Sequence, residues 1–306
     1  MSVGGLKPCC ATGSLHTGAP TGEVSKLHGF DTYIAVPPGG VEAAKGIVVV
    51  LPDIFGWTFP NNRILADDYA RKGGFSVLLP DFMDGCVVPS YLAEWLSTLE
   101  ATGPTGFIKK LYAYGLFAYH IIPFFWSNTQ KKVHPGVIEF FRGLKISHPN
   151  LPVGAAGFCW GGLYTLKLCS AIDRATPPVS QAQPQSPGQS GGTGEPLVVC
   201  GFTAHPSMLS YPASIEAVEL PLSVAAAGRL DPQMSREQGE LTREILEKKT
   251  QSVDGAQHEF IWYEGATHGF AVRADENDVE EAQRGKQAEA QAIRWFTKWF
   301  AAAGKA

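Results

Sequence analysis

The chain has 306 residues, 44% of them hydrophobic, and a formal net charge of −4. A chain of this length and apolar content can bury one large core, so we expect a single α/β domain spanning residues 1–306. Acidic and basic residues are interspersed, which argues against a nucleic acid or an anionic membrane surface as partner. A small molecule is the expected partner, and the chain is expected to be a monomer or a homodimer.

The N-terminus and the cysteines bear on the compartment. Residues 1–10 lack the apolar core of a secretory signal, and six cysteines in a chain of this size do not make a disulfide framework. Both features predict a reduced, cytoplasmic protein. The longest apolar stretch, Leu111 to Trp126, contains His120 and Pro123 and is shorter than the roughly 20 residues needed to cross a bilayer, so we expect it to form core or pocket wall.

Short runs rich in β-branched residues alternate with longer segments of helical periodicity, which is typical of parallel strands joined by crossover helices. Several runs are apolar at every position, as a sheet covered on both faces requires. The prediction is an α/β fold with a mostly parallel twisted sheet and helices on both faces. Strands are predicted at Thr32–Val36, Ile47–Leu51, Phe75–Leu79, Val153–Ala156, Leu197–Phe202, Leu222–Ala226 and Glu259–Tyr263, and helices at Asn61–Lys72, His134–His148 and Asn277–Ala302.

Two segments interrupt the alternation. Residues 84–132 carry too many aromatic side chains for a surface connection and are predicted to form a helical cap-like insertion over a pocket. Residues 177–196 are dominated by Pro, Gly, Ser and Gln and cannot bury enough apolar surface to offset the entropy of ordering them. They are predicted to form a disordered surface loop.

The stretch Gly157-Phe158-Cys159-Trp160-Gly161 stands between a predicted strand and a helical pattern. It matches a nucleophile elbow with cysteine in the usual serine position, where side chains two positions before and after the nucleophile would collide across the turn. The following helix begins at the nucleophile, so its amide dipoles favour a thiolate and can hold an oxyanion. From the pentapeptide alone, a buried cysteine beside glycines that permit close helix–strand packing is an equal alternative.

An elbow enzyme also needs an acid and a histidine later in the chain, each on a loop after a strand. Asp231 follows the predicted strand Leu222–Ala226, and His268 follows Glu259–Tyr263. Each residue alone is ordinary in a turn. Their order and their places after strands favour catalysis by Cys159, Asp231 and His268.

These motifs resemble those of the dienelactone hydrolase family of α/β-hydrolases, over nearly the whole chain. The resemblance lies in the cysteine elbow, the Asp231 turn, the run from Thr267 to Ala271 and the run from Leu51 to Gly56. Residues 9–29 resemble the opening of fungal members. The resemblance implies an α/β-hydrolase fold, and by it Cys159 attacks an acyl carbon to form a thioester, His268 shuttles the proton and Asp231 orients the imidazole.

The resemblance also implies roles beside the triad. The backbone amides of Ile54 and Trp160 occupy the positions of the family's oxyanion hole. Asp53 stands where the family has a glutamate that takes part in activating the thiol, and its side chain is one methylene shorter. It either acts on the thiol or stabilises the loop by capping.

Substrate recognition is where the sequence departs from the family, which holds a substrate carboxylate with two arginines. Pro80-Asp81 is followed by Phe-Met-Asp-Gly with no arginine. Arg273 lies five residues after His268, one further than the family's spacing. It is either a displaced carboxylate anchor or a solvated side chain.

Three more residues are candidates for substrate binding. His205 follows a predicted strand and would stand on the same rim as the elbow, unless it caps its turn. Phe270 follows the catalytic histidine, and Trp57 is a candidate pocket wall. No His or Cys pair has metal-ligand spacing and no Gly-rich phosphate loop is present, so neither a metal nor another cofactor is expected.

The sequence thus predicts a cysteine-dependent hydrolase that opens a lactone or cleaves an activated ester through an acyl-thioenzyme. The missing carboxylate arginines argue against dienelactone itself as the substrate. Two alternatives stay open. The same triad can promote cyclisation, isomerisation or acyl transfer in a pocket that excludes water, or the chain is a noncatalytic α/β-hydrolase scaffold that binds a small molecule or a partner protein.

Overall fold

One sheet of eight strands organises the fold. The structure, a computed structural model, describes residues 13–92, 104–170, 194–228, 231–252 and 256–304. Strands β1 to β8 span, in order, Glu23–Leu27, Phe30–Ala35, Ile47–Leu51, Ser76–Pro80, Val153–Phe158, Cys200–Ala204, Leu222–Ala227 and Glu259–Tyr263. They lie in the order β1-β2-β4-β3-β5-β6-β7-β8. The pairs β1–β2 and β2–β4 are antiparallel and the other neighbours are parallel, which confirms the predicted mostly parallel sheet.

The predicted strands differ from the observed ones at the edge and at some boundaries. Strand β1 has no counterpart in the prediction, because its residues are mostly polar and exposed at the sheet edge and give no apolar signal. Strand β6 begins at Cys200 although the apolar run starts at Leu197. Leu197 and Val198 are buried ahead of the strand, so burial alone placed the predicted boundary too early.

Helices fill the connections. Helices α1 to α8 span Pro60–Asp68, Pro104–Ser127, Gln130–Ser147, Trp160–Leu168, Ala213–Glu216, Arg236–Gln251, Phe270–Arg273 and Val279–Ala303. Helix α1 ends four residues before the predicted boundary because a π-helical turn, Tyr69–Gly73, replaces its last turn. Helix α3 begins four residues before its predicted start, because its first three residues, 130–132, are polar and give no apolar signal.

The core lies on both faces of the sheet. Every residue of β3, β4, β5, β6 and β7 is buried. On one side, Phe296 and Phe300 of α8 pack edge-on against Phe75, with ring centroids 6.1 and 5.4 Å away. Strands that are buried at every position are expected only where both faces of the sheet are covered.

Helix α2 is divided into a buried face and an exposed one. Phe117, Ile121 and Phe124 are buried, whereas Tyr119 and Trp126 are 72% and 78% exposed. The expectation of core or pocket wall is therefore right for one face and wrong for the other. No helix among the described residues is both long and apolar enough to span a membrane. The cap role of residues 84–132 stays a prediction, and residues 93–103 of this insertion lie outside the described part.

The parallel strands bring distant loops together. Residues that follow β3, β5, β6, β7 and β8 meet at the carboxyl edge of the sheet, where ligands of open α/β sheets bind. The predicted loop 177–196 lies outside the described residues, apart from 194–196.

Candidate active site

Cys159 occupies the sharp turn between β5 and α4. Its backbone has φ 50° and ψ −113°, a conformation that L-residues rarely adopt. A Cβ added at Gly161 would overlap the carbonyl oxygen of Leu51, and one added at Gly157 would overlap Oγ1 of Thr165. The two glycines therefore permit a turn this tight, which presents a fully buried cysteine at the carboxyl edge of the sheet.

Asp231 and His268 form a buried pair at the ends of β7 and β8. Nδ1 of His268 lies 2.9 Å from Oδ1 and 3.0 Å from Oδ2 of Asp231. The same carboxylate accepts a hydrogen bond of 2.8 Å from the backbone N–H of Gln233. Both side chains are fully buried. The carboxylate thus fixes the ring and turns Nε2 away from itself.

Besides Asp231, Cys159 also interacts with His268. Burial lowers the pKa of His268, but its interactions with Asp231 and then with Cys159 outweigh burial and raise the pKa to about 10. An imidazole with this pKa keeps its proton at neutral pH next to the Cys159 sulfur. Such a cation next to a cysteine is the environment that favours a thiolate.

Asp53 lies at the end of β3 and pairs with Arg273. Its carboxylate accepts hydrogen bonds from the backbone of Phe55 at 3.2 Å, from Nδ2 of Asn62 at 3.1 Å and from Nη1 of Arg273. Both charged side chains are fully buried. Burial raises the pKa of Asp53, and the Arg273 guanidinium opposes that rise. Arg273 is therefore not the solvated side chain of the sequence-based alternative, because its guanidinium lies inside next to the nucleophile's loop.

The amides predicted for the oxyanion hole lie on two adjacent elements. Trp160 is the first residue of α4, and the first four N–H groups of a helix have no acceptor within the helix. Ile54 is buried directly after Asp53, and its carbonyl accepts from the backbone N–H of Val88 at 2.9 Å. The ring of Phe124 from α2 lies 6.0 Å from that of Trp160, which brings the aromatic insertion onto the elbow.

Comparison with known proteins identifies the group to which this arrangement belongs. The sequence pattern of the dienelactone hydrolase family matches residues 30–182 and 191–303. The chain belongs to this family. That assignment confirms the resemblance seen in the sequence and the α/β-hydrolase fold.

Known hydrolases are similar to this protein over nearly the whole chain. Hydrolase tropI from Talaromyces stipitatus is 28% identical over 291 residues, 95% of each chain. Dienlactone hydrolase 1 from Gibberella moniliformis is 26% identical over 298 residues, 96% of this chain and 94% of that protein. The crystal structure of the dienelactone hydrolase from Anabaena variabilis has a TM-score of 0.52 at 14% identity and covers 93% of this chain and 99% of its own, which shows a shared fold.

Within this family fold, the three further binding candidates have different surroundings. The His205 ring is fully buried, with its centroid 4.9 Å from that of His268 and 5.7 Å from that of Phe270. Burial, followed by the charges of His268 and Arg273, lowers the pKa of His205 well below its usual value, so the ring is neutral. Phe270 is buried, whereas Trp57 is partly exposed, with the Arg63 guanidinium 4.8 Å from its ring centroid.

The N-terminal segment at Ser14 packs against helix α7, which ends at Arg273. No sequence pattern predicted this contact. The backbone N–H of Ser14 donates to the carbonyl of Arg273 at 3.1 Å. Nδ2 of Asn61 donates to the carbonyls of Ser14 and Val272, both at 2.9 Å. These bonds fix the backbone that carries the guanidinium toward Asp53.

Sequence reasoning also missed two polar residues of the site. Asn62 binds the Asp53 carboxylate, and Ser207 lies beside Cys159. Ser207 follows His205 and Pro206 after β6. This position on the same rim as the elbow was the sequence signal that could have identified it. Among the described residues, no group of three or more His, Cys, Asp or Glu side chains is arranged to hold a metal ion.

Proposed function

We propose that this member of the dienelactone hydrolase family is a cysteine-dependent hydrolase that opens a lactone or cleaves an activated ester. The observation that carries the proposal is the convergence of Cys159, His268 and Asp231 at one rim. The cysteine stands on a strained elbow, the carboxylate holds the imidazole at 2.9 Å, and the sulfur contributes to the high pKa of that imidazole. The roles of the three residues follow from this arrangement.

In the first half of the reaction, Sγ of Cys159 attacks the acyl carbon and forms a C–S bond. The carbonyl oxygen becomes an oxyanion that the N–H groups of Ile54 and Trp160 bind, and donors of this kind are worth about 3 kcal/mol each. The C–O bond then breaks, and the leaving alkoxide or enolate takes the proton from Nε2 of His268. In a lactone the leaving group stays tethered to the acyl chain.

In the second half, His268 removes a proton from a water molecule, which attacks the thioester. The new C–O bond forms, the C–S bond breaks, and the sulfur leaves as a thiolate facing the imidazolium again. Asp231 stabilises that imidazolium in both halves. The reaction needs no group beyond these residues and water.

The substrate proposed is an uncharged lactone or ester. The Arg273 guanidinium is neutralised by Asp53, and the position after Asp81 holds no arginine, so a substrate carboxylate would face an already paired cation. The neutral His205 ring lies next to both His268 and Phe270, with ring centroids 4.9 and 5.7 Å away, so an uncharged acyl group with a hydrogen-bonding oxygen matches these surroundings. Trp57, which is partly exposed, is proposed as a further part of the pocket wall. Dienelactone itself is therefore expected to be a poor substrate.

A panel of esters and lactones in ¹⁸O-labelled water tests the proposal. The wild type is expected to hydrolyse activated members and to place one solvent oxygen in the acid product. Cys159→Ala is expected to lose at least a thousandfold in kcat/KM, because triad nucleophiles contribute factors of this order. Cys169→Ala is the matched control and should stay active. Cys169 is as buried as Cys159 but lies at the other end of helix α4.

Three outcomes contradict the proposed cysteine-dependent hydrolysis. Full activity of Cys159→Ala on every responsive substrate removes the mechanism, and no turnover across the panel favours the noncatalytic scaffold. A product without solvent oxygen favours cyclisation, isomerisation or acyl transfer. That rival has some structural support, because the side chains of Cys159, His268 and Asp231 are all fully buried and water has restricted access to them.

A further inference from the structure

A serine outside the triad lies against the nucleophile. Oγ of Ser207 is 3.6 Å from Sγ of Cys159, within hydrogen-bonding range for sulfur. Both residues are fully buried. Ser207 comes 48 residues after Cys159 in the chain, so this contact depends on the pairing of β5 with β6.

The loop that carries Ser207 is fastened to the elbow by backbone hydrogen bonds in both directions. The N–H of Cys159 donates to the carbonyl of Ala204 at 3.3 Å, and the N–H of Ser207 donates to the carbonyl of Cys159 at 3.0 Å. The chain turns tightly here, with φ 39° at His205, between the two bonded residues, and φ 61° at Met208, directly after Ser207. Ser207 is thereby held at a fixed place relative to the sulfur.

The close approach of the loop to helix α4 also depends on Gly162. A Cβ added there would lie 2.6 Å from Oγ1 of Thr203 and 2.7 Å from Cβ of Pro206, both too close for a real contact. Gly162 follows the elbow pentapeptide, and its missing side chain leaves the space that the loop fills. Three local features therefore place the serine hydroxyl next to the sulfur: the backbone hydrogen bonds to Cys159, the rigid ring of Pro206 and the absent side chain of Gly162.

We propose that Ser207 is a positioning residue whose hydroxyl hydrogen-bonds the Cys159 sulfur and stabilises its thiolate form. A hydroxyl has one donor and two acceptor sites and can rotate, so it accepts from a thiol and donates to a thiolate. Hydrogen bonds to an ionised partner are roughly twice as strong as those between neutral groups, so the thiolate gains more than the thiol.

This hydrogen bond would act beside the His268 imidazolium whenever the sulfur is anionic. In the proposed reaction the sulfur is a thiolate before it attacks the acyl carbon and again when the C–S bond of the thioester breaks. When the thioester breaks, the departing sulfur still faces the Ser207 donor. The catalytic consequence rests on the proposed function, whereas the effect on the acidity of the thiol is independent of any substrate.

The pH dependence of Cys159 alkylation by iodoacetamide tests this role. The rate is measured by mass spectrometry of the peptide that contains Cys159, so the other cysteines do not interfere. Ser207→Ala keeps the backbone bond to Cys159 and removes the hydroxyl. We expect its alkylation midpoint to rise by about one pH unit, which slows the reaction about tenfold below the midpoint.

Two variants separate hydrogen bonding from packing. Ser207→Thr restores the hydroxyl and is expected to return the midpoint toward the wild-type value. Ser76→Ala is the matched control, because Ser76 is a buried serine on β4 away from the elbow, and its midpoint should equal that of the wild type. If Ser207→Ala does not fold, Ser207→Cys replaces it, since a thiol is a weaker donor of similar volume, and a smaller upward shift is expected.

An unchanged midpoint in Ser207→Ala, or an equal rise in Ser207→Thr, would overturn the proposal. These outcomes are distinct from a failure of the proposed function. Hydrolysis that survives in Cys159→Ala removes the enzyme mechanism and leaves the alkylation midpoints as they are.

Discussion

Asp53 and Arg273 show how a charged pair can be kept inside the protein. The carboxylate has the guanidinium, Asn62 and the Phe55 amide as donors, while the guanidinium also lies 5.1 Å from the Phe55 ring centroid. Burying each charge away from water costs free energy, so the folded protein tolerates either charge only while the other is present to offset that cost.

Removing one member of this pair is expected to destabilise the protein more than removing both members. Arg273→Met leaves the Asp53 carboxylate buried without its cation and should lower the free energy of unfolding by about 3–5 kcal/mol. Asp53→Asn with Arg273→Met removes both charges, so the double variant should be more stable than Arg273→Met alone. Urea unfolding followed by circular dichroism gives the free energy of unfolding of the wild type, of Asp53→Asn, of Arg273→Met and of the double variant. Losses that simply add in the double variant would show that the two side chains do not act as a pair.

Residues with a local sequence signal were predictable, and residues defined by a distant partner were not. Cys159, Asp231 and His268 each follow an apolar strand in a recognisable order, so the strands and the elbow glycines pointed to them. The Asp53–Arg273 contact joins residues 220 positions apart, and the Ser207–Cys159 contact joins residues 48 apart. Neither has a local pattern, because only the folded sheet brings the partners together.

The elbow is the element on which the site depends. Strand β5, the turn at Cys159 and helix α4 pack against β3 so closely that Gly161 touches the carbonyl of Leu51. The sequence predicted both the turn and its glycines. It did not predict the second contact surface of the elbow, where the loop after β6 closes against Gly162.

A side chain at Gly161 should therefore damage both stability and activity. Gly161→Ala forces the turn away from Leu51 and is expected to lower the free energy of unfolding by about 1–3 kcal/mol, as overpacking does. Displacement of the sulfur should reduce kcat/KM at least tenfold. Thermal unfolding and ester hydrolysis measure the two effects.

Gly115→Ala is the matched control for that change. Gly115 lies in helix α2, and a Cβ added there meets nothing within 4 Å. Because alanine favours helix more than glycine does, this variant should be more stable by about 0.5–1 kcal/mol and fully active. If Gly161→Ala behaved like Gly115→Ala, the tight approach to Leu51 would not be needed for the elbow.

At the scale of the whole molecule, the sheet assembles the site from five strand ends. The alternation of apolar runs and helical segments was sufficient to predict this sheet, because fully buried parallel strands have a strong composition signal. The polar edge strand β1 and the N-terminal segment against Arg273 were not predictable, since their positions depend on long-range hydrogen bonds. The burial of Cys159, Asp231 and His268 together was not predicted either.

The most direct test of the central claim is to trap the acyl group on the protein. Wild type and His268→Gln are mixed with p-nitrophenyl acetate, quenched in acid and digested, and the peptides are analysed by tandem mass spectrometry. A single acetyl group on Cys159 is predicted, and it should persist longer in any His268→Gln that becomes acylated, because the water-activating base is lost. Formation of an acetyl group on another residue during turnover would contradict the account. Hydrolysis of the ester at an unchanged rate by a protein whose Cys159 is never acylated would also contradict it.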